Sequence, residues 1–194
     1  MPTCEAVAMT RSVGRKLVLL RHAKSAWPDV PDHDRPLAGR GRRNAPVMGR
    51  WLRTNGHVPD QVLCSTARRA RETWQLAQEG LGTTPPVSFE LDVYQASAEQ
   101  LLDLVRGVPS AVTTLLIVGH DPAIQELALL LAGTASPAGG DGAAADALDR
   151  MRAKFPTAAV AVLELTGNWD QLGPGMAQLA AFVVPREAGG AGDG

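Results

Sequence analysis

The 194-residue chain is short of several things at once, and each shortage removes a class of function. Its two cysteines, Cys4 and Cys64, are too few for a disulfide framework and too far apart for a zinc-type spacing, which fits a reducing compartment. Lys and Arg number 19 against 20 Asp and Glu, so no excess of one sign points to nucleic acid or to a membrane surface, and any anion site must be local. No apolar run approaches the length of a membrane-spanning helix, and the first residues lack the apolar stretch of a secretory signal, so a cytoplasmic protein is expected. Carboxylates and histidines nowhere cluster at the spacing of metal ligands, so neither a metal nor another cofactor is expected.

What is present is a series of apolar strands that end abruptly in polar residues, in a chain long enough for one sizeable α/β domain. Leu17-Val18-Leu19-Leu20 suits a buried strand and stops at Arg21-His22. A stiff, proline-rich loop covers 27–36, and a helix follows over about 42–54, with Ala45, Met48, Trp51 and Leu52 on one face and Pro46 tolerated near its start. A second strand at 61–64, with Cys64 a small core residue, runs into Ser65-Thr66-Ala67-Arg68-Arg69. Ser65 or Thr66 reads as the N-cap of a helix striped by Ala67, Ala70, Trp74 and Ala77, which puts Arg68 in the first turn.

A strand at 85–90 and a helix at 98–106 lead to the strongest strand, 113–119, which stops at His120-Asp121-Pro122. Asp121 reads as an N-cap and Pro122 as the first position of the next helix. Strands at 158–165 and 178–184 look like a hairpin at the sheet's margin. Residues 1–15 read as a loose leader, 133–145 as a low-complexity loop before a short helix around 147–154, and 187–194 as a disordered tail, leaving a single domain over 16–186.

Alternating strands and helices predict a mostly parallel sheet covered on both faces, and such sheets bind ligands outside the carboxyl ends of their strands. Arg21-His22, 65–68 and His120 all fall at that rim. Two guanidiniums and two imidazoles around one point suit a phosphoryl group, because the arginine fork matches its oxygens and a helix N-terminus adds backbone donors. Phosphoryl transfer needs mainly positioning and charge stabilisation, which this set supplies without a metal. A neutral imidazole is a competent nucleophile near pH 7, and neighbouring arginines keep it neutral; on the residues alone, either His22 or His120 could be that group. Lys24 and Arg35 add positive charge at the mouth, His33 and His57 read as solvated, and Trp51 and Trp74 as core.

The runs Leu19-Leu20-Arg21-His22-Ala23-Lys24-Ser25, 65–73 and Val118-Gly119-His120-Asp121-Pro122 resemble the histidine phosphatase superfamily, also called phosphoglycerate mutase-like. Arg21-His22-Ala23-Lys24-Ser25 with Trp27, Asp34-Arg35-Pro36-Leu37 and Gly41 is similar, more closely, to its small SixA-like phosphohistidine phosphatase branch. The resemblance implies a three-layer α/β/α sandwich with a mostly parallel central sheet and an antiparallel edge. It implies that His22 is the nucleophile, with Arg21, Arg68 and His120 cradling the phosphoryl group; Lys24, Ser25 and Arg35 complete the candidate substrate contacts.

Many relatives use an acidic proton donor, and in one branch an Asp follows the second histidine as Asp121 does, whereas the small phosphatases often carry Asn there. As an N-cap, Asp121 would be stabilised as the anion, against an acid role; Glu90 and Asp92 read as solvated loop charges. Expulsion of an imidazole is easier than that of an alkoxide, and the single helix between Tyr94 and Thr113 leaves little material for a lid. The expected substrate is therefore phosphohistidine on a protein, with small phosphate esters or nucleotides as the alternative and a non-catalytic phospho-ligand module as the other class. Neither a nucleic acid nor a membrane is an expected partner, and the oligomeric state stays open.

Overall fold

The computed structural model describes residues 14–133 and 142–188, with the backbone alone for 142–144. Most of the expected leader, most of the low-complexity loop and most of the tail lie outside the described residues.

Strand β1 (Gly14–Arg21) occupies the interior of a six-stranded sheet. On one side it runs parallel to β4 (Thr114–Gly119), with Leu17 opposite Leu115 and Arg21 opposite Gly119. On the other it pairs antiparallel with β5 (Val160–Thr166), which in turn pairs antiparallel with β6 (Ala177–Val183). Beyond β4 lie β2 (Gln61–Ser65) and β3 (Val87–Glu90), both parallel to it, giving the order β3-β2-β4-β1-β5-β6. The sheet is thus mostly parallel with an antiparallel margin, as the sequence predicts.

Because successive side chains point to opposite faces, β1 feeds two cores. Leu17, Leu19, Leu115 and Ile117 pack under α3 (Ala98–Arg106), α4 (Ala123–Ala132) and α5 (Gly142–Ala153). Val18, Leu20, Leu116 and Val118 pack under α1 (Gly39–Thr54) and α2 (Arg68–Leu81), with the short α6 (Pro185–Ala188) against the same face. Burial on both faces explains why these strands are continuously apolar. The helices α1 and α2 approach so closely that a Cβ on Gly49 would lie 1.8 Å from the Ala77 carbonyl oxygen, and one on Gly80 2.1 Å from that of Pro46.

Several boundaries differ from the sequence reading. The first strand starts at Gly14, inside the expected leader, and Arg15 is buried, donating through Nη2 to the Ser110 carbonyl at 2.9 Å. Residues 142–145, expected as loop, open α5. Glu187, expected in the tail, belongs to α6 and pairs with Arg150 at 2.7 Å. The N-cap of α2 is Ala67 and that of α4 is Pro122, neither with a side-chain cap bond, so Ser65, Thr66 and Asp121 are not caps. Their polar atoms are engaged across the fold, whereas Ser97 keeps its hydroxyl for α3 and forms a full capping box with Gln100. Among the described residues no helix is long and apolar enough to cross a membrane.

Gly49→Ala should lower stability by about 1–3 kcal/mol, the usual cost of overpacking, and hence the melting temperature by about 2–4 °C per kcal/mol. Thermal denaturation followed by circular dichroism measures this, and an unchanged midpoint would contradict the close helix contact.

Candidate active site

Strands β1, β2 and β4 are parallel and neighbouring, so their carboxyl ends share one rim. The His22 amide donates to the Gly119 carbonyl at 3.0 Å, which brings the residues after β1 and β4 together and sets the His22 and His120 ring centroids 5.1 Å apart. His22 Nδ1 lies 2.8 Å from the Ala23 carbonyl oxygen. A carbonyl can only accept, so Nδ1 carries the proton and Nε2 keeps its lone pair. Burial lowers the His22 pKa to about 4, helped by Arg69, Arg21 and Arg35 and opposed by the bond to Ala23. Burial likewise takes His120 down to about 3, with His22 and Arg69 adding to it. Both rings are therefore neutral at pH 7. His120 Nε2 is 2.8 Å from the buried Ser65 Oγ, which also accepts the Ala67 amide at 3.2 Å.

The second arginine at the rim is Arg69, not Arg68. Arg68 is exposed, and its Nε donates to Glu72 Oε1 at 2.8 Å. Arg69 is only 7% exposed, and its charge acts on both histidines. Helical spacing explains the difference: Arg69 shares a row with the buried Thr73 four residues on, while Arg68 shares one with Glu72. Counting Ala67 into the apolar stripe obscured this, because Ala67 precedes the helix.

Four further residues hold the site, and three of them, Asp32, Tyr94 and Thr73, escaped the sequence reading. Asp32, in a single 3₁₀ turn of the proline-rich loop, accepts from Tyr94 Oη at 2.8 Å, Arg35 Nη1 at 2.9 Å and Arg69 Nη2 at 3.0 Å. Those bonds, Tyr94 foremost, hold its carboxyl well below the usual range. The Tyr94 ring meets His120 at 5.5 Å. Thr73 Oγ1 accepts the Ala23 amide at 2.9 Å and donates to the Arg69 carbonyl at 2.6 Å, and Ser65 holds His120 as above.

Other expectations change. Arg35 is buried, and each of its nitrogens is engaged: Nε bonds the Ala26 carbonyl at 3.1 Å, Nη1 bonds Asp32 at 2.9 Å, and Nη2 bonds Ser25 Oγ at 2.7 Å. Its guanidinium also lies 3.2 Å from the Trp27 ring centroid. Arg35 and Ser25 thus tie the loop to the segment after β1. His33 is not simply solvated, since Nε2 is 3.0 Å from Thr66 Oγ1 and its ring meets Tyr94 at 4.9 Å. His57 rests on Trp51, centroids 5.4 Å apart, and Trp51 is only partly buried while Trp74 is core. Lys24 is exposed. Asp121 Oδ2 stands 3.5 Å from Arg21 Nη1, which also donates to the Phe155 carbonyl, so the carboxylate faces the rim instead of capping α4. Among the described residues no group of three or more His, Cys, Asp or Glu could hold a metal ion.

Comparison with known proteins agrees with this architecture. The family model for the histidine phosphatase superfamily (branch 1) matches residues 17–93. An uncharacterized protein of Mycobacterium tuberculosis is 46% identical over 168 residues, spanning 86% of this chain and 100% of its own. The chain belongs to the histidine phosphatase superfamily and is a phosphatase by fold and family. Within that superfamily it falls in the SixA-like branch. A solved structure from Nakamurella multipartitia, a candidate phosphohistidine phosphatase SixA, is 36% identical with a TM-score of 0.74, covering 89% of this chain and 96% of that one. The fold alone is shared with a protein histidine phosphatase SixA complexed with tungstate, which is 18% identical with a TM-score of 0.70 over 88% of this chain and 97% of that one.

Arg69→Ala should reduce kcat/KM for an aryl phosphate by about 100-fold or more, the scale of losing one charge-stabilising donor, while Arg68→Ala stays within about threefold. Steady-state kinetics on both variants decide it, and the reverse ranking would restore Arg68.

Proposed function

We propose that the protein is a metal-independent phosphatase that passes the phosphoryl group of its substrate through His22, and that the substrate is phosphohistidine on a protein. The observation that carries the mechanism is the His22 Nδ1 bond to the Ala23 carbonyl, which leaves Nε2 as the nucleophilic atom. Nε2 attacks phosphorus as the substrate's bond to its leaving group breaks, and the leaving group takes up a proton from solvent water. Water then attacks the phosphorylated His22, releasing inorganic phosphate and regenerating the imidazole. Arg21, Arg69 and His120 stabilise the charge on the transferring oxygens.

For the substrate, the neighbour from Nakamurella multipartitia supports phosphohistidine by its description. The small amount of chain available to cover the rim agrees, since one α-helix, α3, and a single 3₁₀ turn over Leu91–Val93 are all that separate β3 from β4. A second reading, hydrolysis of small phosphate esters or nucleotides with Asp121 as the acid, is favoured by one observation: the Asp121 carboxylate stands beside Arg21 at the rim and does not cap α4.

His22→Ala should abolish turnover, and chelators should leave the wild type unaffected; residual hydrolysis by that variant would sink the covalent route. Asp121→Asn separates the substrates. With phosphohistidine physiological, it should alter phosphohistidine hydrolysis less than about threefold, whereas an acid role in ester hydrolysis predicts a loss of about 100-fold. The pH profile of kcat/KM should have its acid limb near pH 4, where His22 protonates, with activity retained down through pH 6. A limb at the ordinary histidine value would mean that His22 is not desolvated in the free enzyme.

A further inference from the structure

Beside the rim lies a groove of about 590 Å3, of which the phosphoryl chemistry uses only Arg21. Five cations line it: Arg21 at the end of β1, Lys24 just beyond, Arg40 in the first turn of α1, Lys154 after α5 and Arg186 in α6. None of the lining residues is acidic. The nearby carboxylates are already engaged, Asp121 with Arg21 and Glu187 with Arg150. Among the described residues, Lys24, Arg40, Lys154 and Arg186 form no ion pair, although ion pairs are common elsewhere on this surface. In a chain with balanced charge, such a one-signed cluster is a local device that raises the concentration of anions beside the histidines.

We infer that this groove binds an acidic segment of the phosphoprotein substrate, with Asp or Glu side chains flanking the phosphorylated residue. The inference rests on the reading of the substrate as a protein. Arg21 belongs to both the rim and the groove, so a polypeptide anchored by its phosphoryl group at His22 runs directly into it. The volume exceeds what one further phosphate would fill. Val184 and Pro185 add apolar lining between the cations, which suits a chain of mixed acidic and aliphatic side chains better than a bare polyphosphate.

The test uses two phosphohistidine peptides that differ only in having Glu or Gln at the flanking positions. The wild type should prefer the acidic peptide about tenfold in kcat/KM, as several solvent-screened ion pairs acting together would give, and the preference should shrink with added salt. In Arg40→Gln/Lys154→Gln/Arg186→Gln, checked for folding by circular dichroism, the ratio should fall to within about twofold of unity. Equal rates on both peptides in the wild type, or a preference that survives in the variant, would overturn the groove while leaving the substrate reading intact. Turnover of an aryl phosphate but of neither peptide would overturn the substrate reading instead. The groove is then judged by inhibition of aryl phosphate hydrolysis: a Glu-rich peptide should inhibit at about tenfold lower concentration than its Gln counterpart, and no difference would overturn it. Tripolyphosphate inhibiting tenfold better than the acidic peptide, in a manner lost in the variant, would overturn the peptide assignment.

Discussion

One hydroxyl joins the two halves of the site. Thr73 Oγ1 accepts the amide of Ala23, whose own carbonyl sets the His22 tautomer, and donates to the carbonyl of Arg69. The segment carrying the proposed nucleophile and the first turn of α2 are therefore one unit. Both bonds are fully buried, where an orphaned donor costs about 1–3 kcal/mol. A threonine on a helix face, ordinarily a mild weakness in a helix, here fixes the distance between an imidazole and a guanidinium.

Electrostatics acts in the same direction. Burial and nearby guanidiniums disfavour the charged form of both histidines, so the rings remain lone-pair bearers at pH 7 while the arginines supply the positive charge. Asp32 keeps that charge from being a liability in the free enzyme, since it pairs Arg69 and Arg35 from the side of the proline-rich loop. The loop's stiffness thus bears on the placement of Arg69 through one carboxylate. The division of labour resembles that of a metal site, with fixed cations in place of an ion and an outer residue orienting them.

Strands β1, β2 and β4 were legible because each is buried on both faces and reads as a continuous apolar run, and the rim was legible because β1 and β4 stop at Arg21-His22 and His120. Arg68 and Arg69 could have been separated from sequence, since Arg69 alone stands four residues before a threonine on the apolar side. Ser65 and Asp121 look like caps by local chemistry, and each was drawn away by a tertiary partner, His120 and Arg21 respectively. The bonds of Arg35 to Asp32 and Ser25 were not readable on sequence grounds, because polar residues in and beside a proline-rich loop do not reveal that they bond one another. Tyr94 is silent for the same reason: its partners, Asp32 and His120, lie 62 and 26 positions away in the chain.

The place of β1 in the sheet has a further consequence. The strand sends Leu17 and Leu19 into one core and Val18 and Leu20 into the other, and it is hydrogen-bonded on both edges. No local opening can release Arg21 and His22 without disrupting both layers together. Opening β1 along its length therefore couples the loss of these two residues to disruption of both layers.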